Sequence, residues 1–103
     1  MINASFLRSG GRLSGFSVTG HAGYGDEGTD IVCAGVSSAV MLICNAVTVV
    51  YGIGADVSIR ENEISLRSDG SGDADRLISA LQLHLEALSE EYPENISVNI
   101  SEV

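Results

Sequence analysis

The sequence has no lysine and no tryptophan, and it carries one proline, two cysteines and two histidines among 103 residues. Without lysine, all five basic residues are arginine, set against fourteen acids for a formal net charge of −9. A chain this acidic has little with which to release counterions from a phosphate backbone, so no nucleic acid partner is expected. The charge suits a soluble protein, or one that meets a basic partner. The scarce proline and a hydrophobic content of 45% argue for a packed chain rather than a disordered one. The length allows one domain, residues 1–103, with a single modest core. Cys33 and Cys44, if both lie on one helix, are about 16 Å apart along its axis. A disulfide spans roughly 7 Å between Cα atoms at most, so two free thiols in a reducing, cytoplasmic compartment are expected. The opening MINASFLRSG has no basic segment followed by an apolar run, and no signal peptide is read there.

Other chemistries fail for want of companions. One histidine and one cysteine, His21 and Cys33, with no CxxC or HxxxH partner, make a poor zinc set. Asp26, Glu27 and Asp30 lack EF-hand spacing. Gly23-x-Gly25-x-x-Gly28 has the glycine spacing of a dinucleotide loop, but no preceding βαβ pattern, and Asp26-Glu27 would repel a pyrophosphate. No metal and no cofactor are therefore expected. The span from Ile31 to Ala55 carries no charge, long enough by composition to raise the question of a membrane crossing. Serines, Asn45, Thr48 and glycines interrupt it, acids flank it, and no nearby Lys or Arg sets an orientation. A helix buried in a small domain accounts for the same run, and no membrane association is expected.

The pattern resolves into seven elements. Residues 2–8 and 13–19 alternate about the turn Ser9-Gly10-Gly11-Arg12, a β-hairpin. A glycine-rich loop, 20–29, follows, with Thr29 or Asp30 placed to cap a helix. From Ile31 to about Tyr51 the chain is apolar nearly all round, as in a buried helix, weakening over the β-branched Val47–Val50 and stopping at Gly52 or Gly54. Val57 and Ile59, then Ile64 and Leu66, alternate about Glu61-Asn62-Glu63 as a second hairpin. After the loop 68–72, with Ser71 or Asp73 as cap, Leu77, Ile78, Leu81, Leu85, Leu88 and Tyr92 share one helix face. Pro93 stops that helix, and Ile96, Val98 and Ile100 alternate in a last strand. The order ββαββαβ predicts an α+β, two-layer domain, a mostly antiparallel sheet with one wet face and both helices on the other.

The stretch Gly20–Ser37, GHAGYGDEGTDIVCAGVS, carries the chemistry. A cysteine attacks as thiolate, which a helix N-terminus or a histidine favours. Cys33 is expected in the first turn of the first helix, where free N–H groups can hold an oxyanion. His21 lies twelve residues upstream across the loop, Asp30 can orient its imidazole, and Ser37 stands one turn beyond Cys33 on the same face. Each has a plainer reading: Cys33 as a small core residue, Asp30 as an N-cap, the glycines as turn formers, Ser37 as a close-packing residue. His84 is read as structural, and Cys44 as inert core. The long apolar helix also permits a second reading of the whole chain, a non-catalytic homodimeric binding module.

Gly20-His21-Ala22, Gly28, Asp30-Ile31-Val32-Cys33-Ala34 and Ser37, over the whole ββαββαβ length, resemble the ribosomal-processing cysteine protease Prp family. The resemblance implies a cysteine endopeptidase with Cys33 as nucleophile and His21 as general base, supported by Asp30, Ser37 and Gly20. It implies a mobile substrate loop through Gly23, Tyr24, Gly25 and Gly28. It also implies a homodimer whose peptide substrate is the N-terminal extension of a bacterial large-subunit ribosomal protein. An acidic rim at Asp26-Glu27 would suit a basic substrate of that kind.

Overall fold

A computed structural model describes residues 1–20, 27–70 and 72–103, the backbone alone over 27–30. The chain runs β1 (Ile2–Ser9), β2 (Arg12–Thr19), α1 (Glu27–Asn45), a π-helical turn (Ala46–Val50), β3 (Asp56–Arg60), β4 (Glu63–Arg67), α2 (Asp73–Glu91) and β5 (Ile96–Glu102). The five strands form one sheet in the order β3-β4-β2-β1-β5. All neighbours are antiparallel except β1 and β5, which run parallel from Ile2 opposite Ile96 to Arg8 opposite Glu102. The expected order and the mostly antiparallel sheet are both present.

Local chemistry sets the hairpins. Gly10 and Gly11 have φ of 60° and 80°, and both central residues of a turn that matches strand twist need such values, which glycine adopts without strain. Register then slips between Leu7 and Arg8, leaving Ser14 as the extra residue of a bulge. Its carbonyl is not wasted: the Ser68 N–H donates to it at 2.8 Å and the Ser68 hydroxyl at 3.1 Å. Beyond the bulge Phe6 faces Phe16, ring centroids 6.1 Å apart.

Both helices lie on one sheet face. Ile2, Ala4, Phe6, Phe16, Val18, Leu66 and Ile96 from the strands meet Val32, Val36, Val40, Ile43 and Cys44 from the first helix, Val47 from the π turn, and Ile78, Leu81 and Leu85 from the second helix in one buried cluster. The opposite face carries Asn3, Ser5, Ser17, Thr19, Ser65 and Arg67, and there the Ser17 hydroxyl donates to Glu63 at 3.0 Å.

Two boundaries differ from expectation, and one helix changes type before the end expected for it. The first helix starts at Glu27, earlier than a cap at Thr29 or Asp30 allows. Gly28 and Thr29 are weak helix formers, and the helix includes them nonetheless. The second helix is capped by Gly72 at φ 55°, with no side-chain cap; Asp73 is already its first residue, and Ser71 lies outside the described residues. Instead Asp75 accepts a hydrogen bond from the Leu13 N–H at 2.7 Å, pinning α2 to the first hairpin. Finally, the β-branched run after Asn45 leaves the α-helical ladder for the π turn, where the Tyr51 N–H reaches the Ala46 carbonyl at 2.9 Å. Gly52, at φ 61°, ends it.

The stretch Ile31–Val50 is long and apolar enough to cross a membrane, with mean hydropathy 2.0. In this fold its inward row is the middle of the core. On its outward side Ile31, Leu42, Val49 and Val50 are exposed, the last two at 74% and 75%.

Candidate active site

Where α1 passes the end of the sheet, a cleft of about 130 Å³ opens. Cys33 and Ser37 line it from the helix, four residues apart and so on one face. Ile2, Val18, Val36, Val40, Ile59 and Ile64 give it apolar walls, and the β3–β4 turn from Arg60 to Glu63 forms its rim. Gly20 closes the end where β2 leaves the sheet. Cys33 is half-buried and Ser37 exposed, so the thiol is neither sealed in the core nor out on an open surface.

Gly20 is held from two sides. Its N–H donates to the Asn62 carbonyl at 3.0 Å, tying it to the β3–β4 turn. Its φ of 88° belongs to glycine, and a Cβ there would collide with the Met1 carbonyl oxygen. The residue that precedes His21 is thus fixed in place by the start of β1 and the second hairpin. His21, Gly23, Tyr24 and Gly25 lie outside the described residues, as do the side chains of Gly28's neighbours Glu27, Thr29 and Asp30.

One expectation needs correction. Because α1 begins at Glu27, Cys33 stands six residues past the helix start, about 9 Å along the axis. The free N–H groups of the first turn are therefore not beside the sulfur, and the N–H of Cys33 itself falls within the helical ladder. An oxyanion formed at Cys33 has to be met by other donors, and Ser37 is the cleft hydroxyl nearest in sequence.

The second thiol is different. Cys44 is buried in the core cluster, and desolvation pushes its pKa up from the ordinary 9.0. His84 is exposed and borders a separate groove between α1 and α2, lined also by Ser38, Leu42 and Ala80. It shares no wall with Cys33. Among the described residues no three His, Cys, Asp or Glu side chains gather as a metal site.

Sequence reasoning missed the cleft's far wall, Ile59 to Ile64 and Val18. The alternation of Ile59 and Ile64 identified strands, but only the pairing of β4 with β2 brings their turn to Gly20. That pairing joins residues more than forty apart and leaves no local signal.

This architecture has known counterparts. A Streptococcus mutans protein of known crystal structure superposes with a TM-score of 0.90 at 31% identity, covering 100% of this chain and 96% of that one. An essential ribosomal processing protease Prp from Staphylococcus aureus, crystallised with a covalently linked product peptide, superposes at 0.88 with 29% identity, covering 98% and 100%. The same protease with a substrate peptide gives 0.88 at 28% identity, again covering 98% and 100%. The ribosomal processing cysteine protease Prp of Bacillus subtilis is 33% identical over 107 residues, 95% of this chain and 96% of that protein. Residues 1–97 match the model of the family described as cysteine protease Prp. The chain belongs to that family of cysteine proteases.

Proposed function

We propose that this protein is a cytoplasmic endopeptidase that removes a short N-terminal extension from a bacterial large-subunit ribosomal protein, with Cys33 as nucleophile and His21 as general base. The observation that carries the reading is the half-buried Cys33 lining a cleft of about 130 Å³ whose end is Gly20, the residue bonded to His21. His21 follows Gly20 directly in the sequence.

The chemistry follows from those two groups. His21 takes the thiol proton, and the sulfur adds to the scissile carbonyl carbon. The tetrahedral intermediate collapses, and His21 returns the proton to the departing amine, leaving a thioester on Cys33. Water, deprotonated by His21, then attacks the thioester, releasing the new carboxylate and restoring the thiol. Ser37, one turn along the same cleft wall, supplies a hydroxyl toward the developing negative oxygen, and Asp30 orients the imidazole. Gly23, Tyr24 and Gly25, which lie between β2 and α1 in the sequence, are the substrate-loop residues of this reading. The net charge of −9 favours encounter with a basic ribosomal protein.

The functional unit is a homodimer. Ile31, Leu42, Val49 and Val50 form an uncharged exposed row that a monomer of this charge would otherwise leave in water.

The test is trimming of an extended ribosomal-protein precursor by wild type, Cys33→Ala and Cys33→Ser, read by mass spectrometry of the new N-terminus. Trimming by wild type alone is expected; equal trimming by all three rejects Cys33 as nucleophile.

A further inference from the structure

Strand β3 ends the sheet on the cleft side. It pairs with β4, and the sheet order places no described strand on its other flank. The two-residue loop Glu61-Asn62 closes on the Arg60–Glu63 pair. A two-residue hairpin closes on a hydrogen-bonded pair, and such pairs alternate with pairs that exchange no bonds. Counting back from Arg60, Ser58 and Asp56 turn their N–H and C=O toward β4, while Val57 and Ile59 turn theirs to the free edge. The parity agrees with the far side of β4, where continuing the Val18–Ile64 pairing by one step of two gives the Gly20 N–H to Asn62 carbonyl bond.

Exposed edges are normally blunted by proline, lysine, a bulge or a covering element. β3, DVSIR, has no proline, no lysine and an unbroken register with β4. Its two residues on the helix-side face, Val57 and Ile59, stay 38% and 60% exposed. The opposite edge is managed differently: α2 packs over β5, with Ile96 buried and Val98 and Ile100 partly so. The last two residues of β3, Ile59 and Arg60, also line the cleft that holds Cys33. The open edge therefore runs continuously into the candidate active site.

We propose that the substrate peptide is held as an added strand on β3, its main chain bonded to the N–H and C=O groups of Val57 and Ile59, and is led by that alignment to Cys33. This deepens the endopeptidase reading and rests on it. Pairing with a sheet edge is a general way to hold an extended peptide. Side chains of such a strand alternate between faces, so every second substrate residue meets the exposed apolar surface of Val57 and Ile59. The occupant is an extended segment with apolar side chains at alternate positions.

A substrate series with one backbone nitrogen methylated at a time tests the pairing, because each methyl removes one donor. kcat/KM is expected to drop about tenfold at every second residue along the segment on β3, with little change between them. A profile without two-residue alternation overturns the proposal. In the protein, Val57→Pro removes an N–H that β4 does not use. It is expected to raise KM about fivefold while Cys33 is alkylated by iodoacetamide at the wild-type rate. An unchanged KM in folded V57P overturns the proposal. So does conversion of a dimer to monomers by V57P in sedimentation, which would give the edge to a second copy. If V57P does not fold, the methylated series decides alone. Failure of the endopeptidase reading would look different: Cys33→Ala would trim the unmodified precursor as fast as wild type.

Discussion

Cys33 and Cys44 stand on the same helix, eleven residues apart and within about 20° of the same direction at 100° per residue. One lines an open cleft, and the other is 3% exposed. The difference comes from what each meets across the layer. Opposite Cys33 the sheet is ending, at Gly20 and the β3–β4 turn, and the described residues leave a cleft there. Opposite Cys44 the core is continuous, with Val40, Val47 and Leu85 in the same cluster. Periodicity in a sequence gives the direction in which a side chain points, but its depth depends on where the opposing layer stops.

The sharpest way to break this comparison is to remove each sulfur in turn. Cys33→Ala is expected to lower the trimming rate at least about a thousandfold, equivalent to about 4 kcal/mol of barrier. Its thermal midpoint should stay within a few degrees of wild type, since the cleft is already open around it. A calorimetric scan beside the kinetic assay checks both halves. Gly20→Ala comes next. It forces alanine to a φ of 88° and toward the Met1 carbonyl, at a cost of about 2–4 kcal/mol in urea unfolding. Activity should fall with it, because the residue before His21 is displaced.

Cys44→Ala is expected to show the reverse of Cys33→Ala. Losing a buried sulfur costs about 1–2 kcal/mol of stability, and the trimming rate of the folded fraction should be unchanged. Iodoacetamide under native conditions should modify one thiol, and two after denaturation; peptide mapping that finds Cys44 labelled in the native state would contradict its burial. The smallest effect is on pH dependence. The Cys44 thiol ionises at higher pH folded than unfolded. Its contribution is therefore fully present below about pH 9 and is lost as pH rises through the folded value. Denaturation midpoints measured from pH 8 to 11 should fall more steeply for wild type than for Cys44→Ala.

Much of this fold was legible because its signals are local. Gly10-Gly11 dictated the first hairpin, the Leu77-to-Leu88 stripe dictated the second helix, and Pro93 ended it near Glu91. The helix start was misplaced because Gly28 and Thr29 have poor propensity, and tertiary context overrode it. The candidate site was half legible. The spacing of Cys33 and Ser37 follows from helix geometry alone, and both line the cleft. The wall from Ile59 to Ile64 depends on strand order, a property of distant residues that alternation within one strand does not encode. The Cys33 position within α1, and with it the source of an oxyanion donor, depended on a boundary that shifted by one turn.

The parallel pairing of β1 with β5 sends the two chain ends to opposite poles of the sheet. Residue 1 abuts Gly20, while Val103 donates its N–H to the Arg8 carbonyl at 2.8 Å beside the Arg8–Glu102 ion pair. A reporter, affinity handle or surface tether fused after Val103 therefore leaves the pole that carries the Cys33 cleft clear. The same fusion placed before Met1 crowds Gly20 and the entrance it guards, so assays of this enzyme should carry their attachments at the C-terminus.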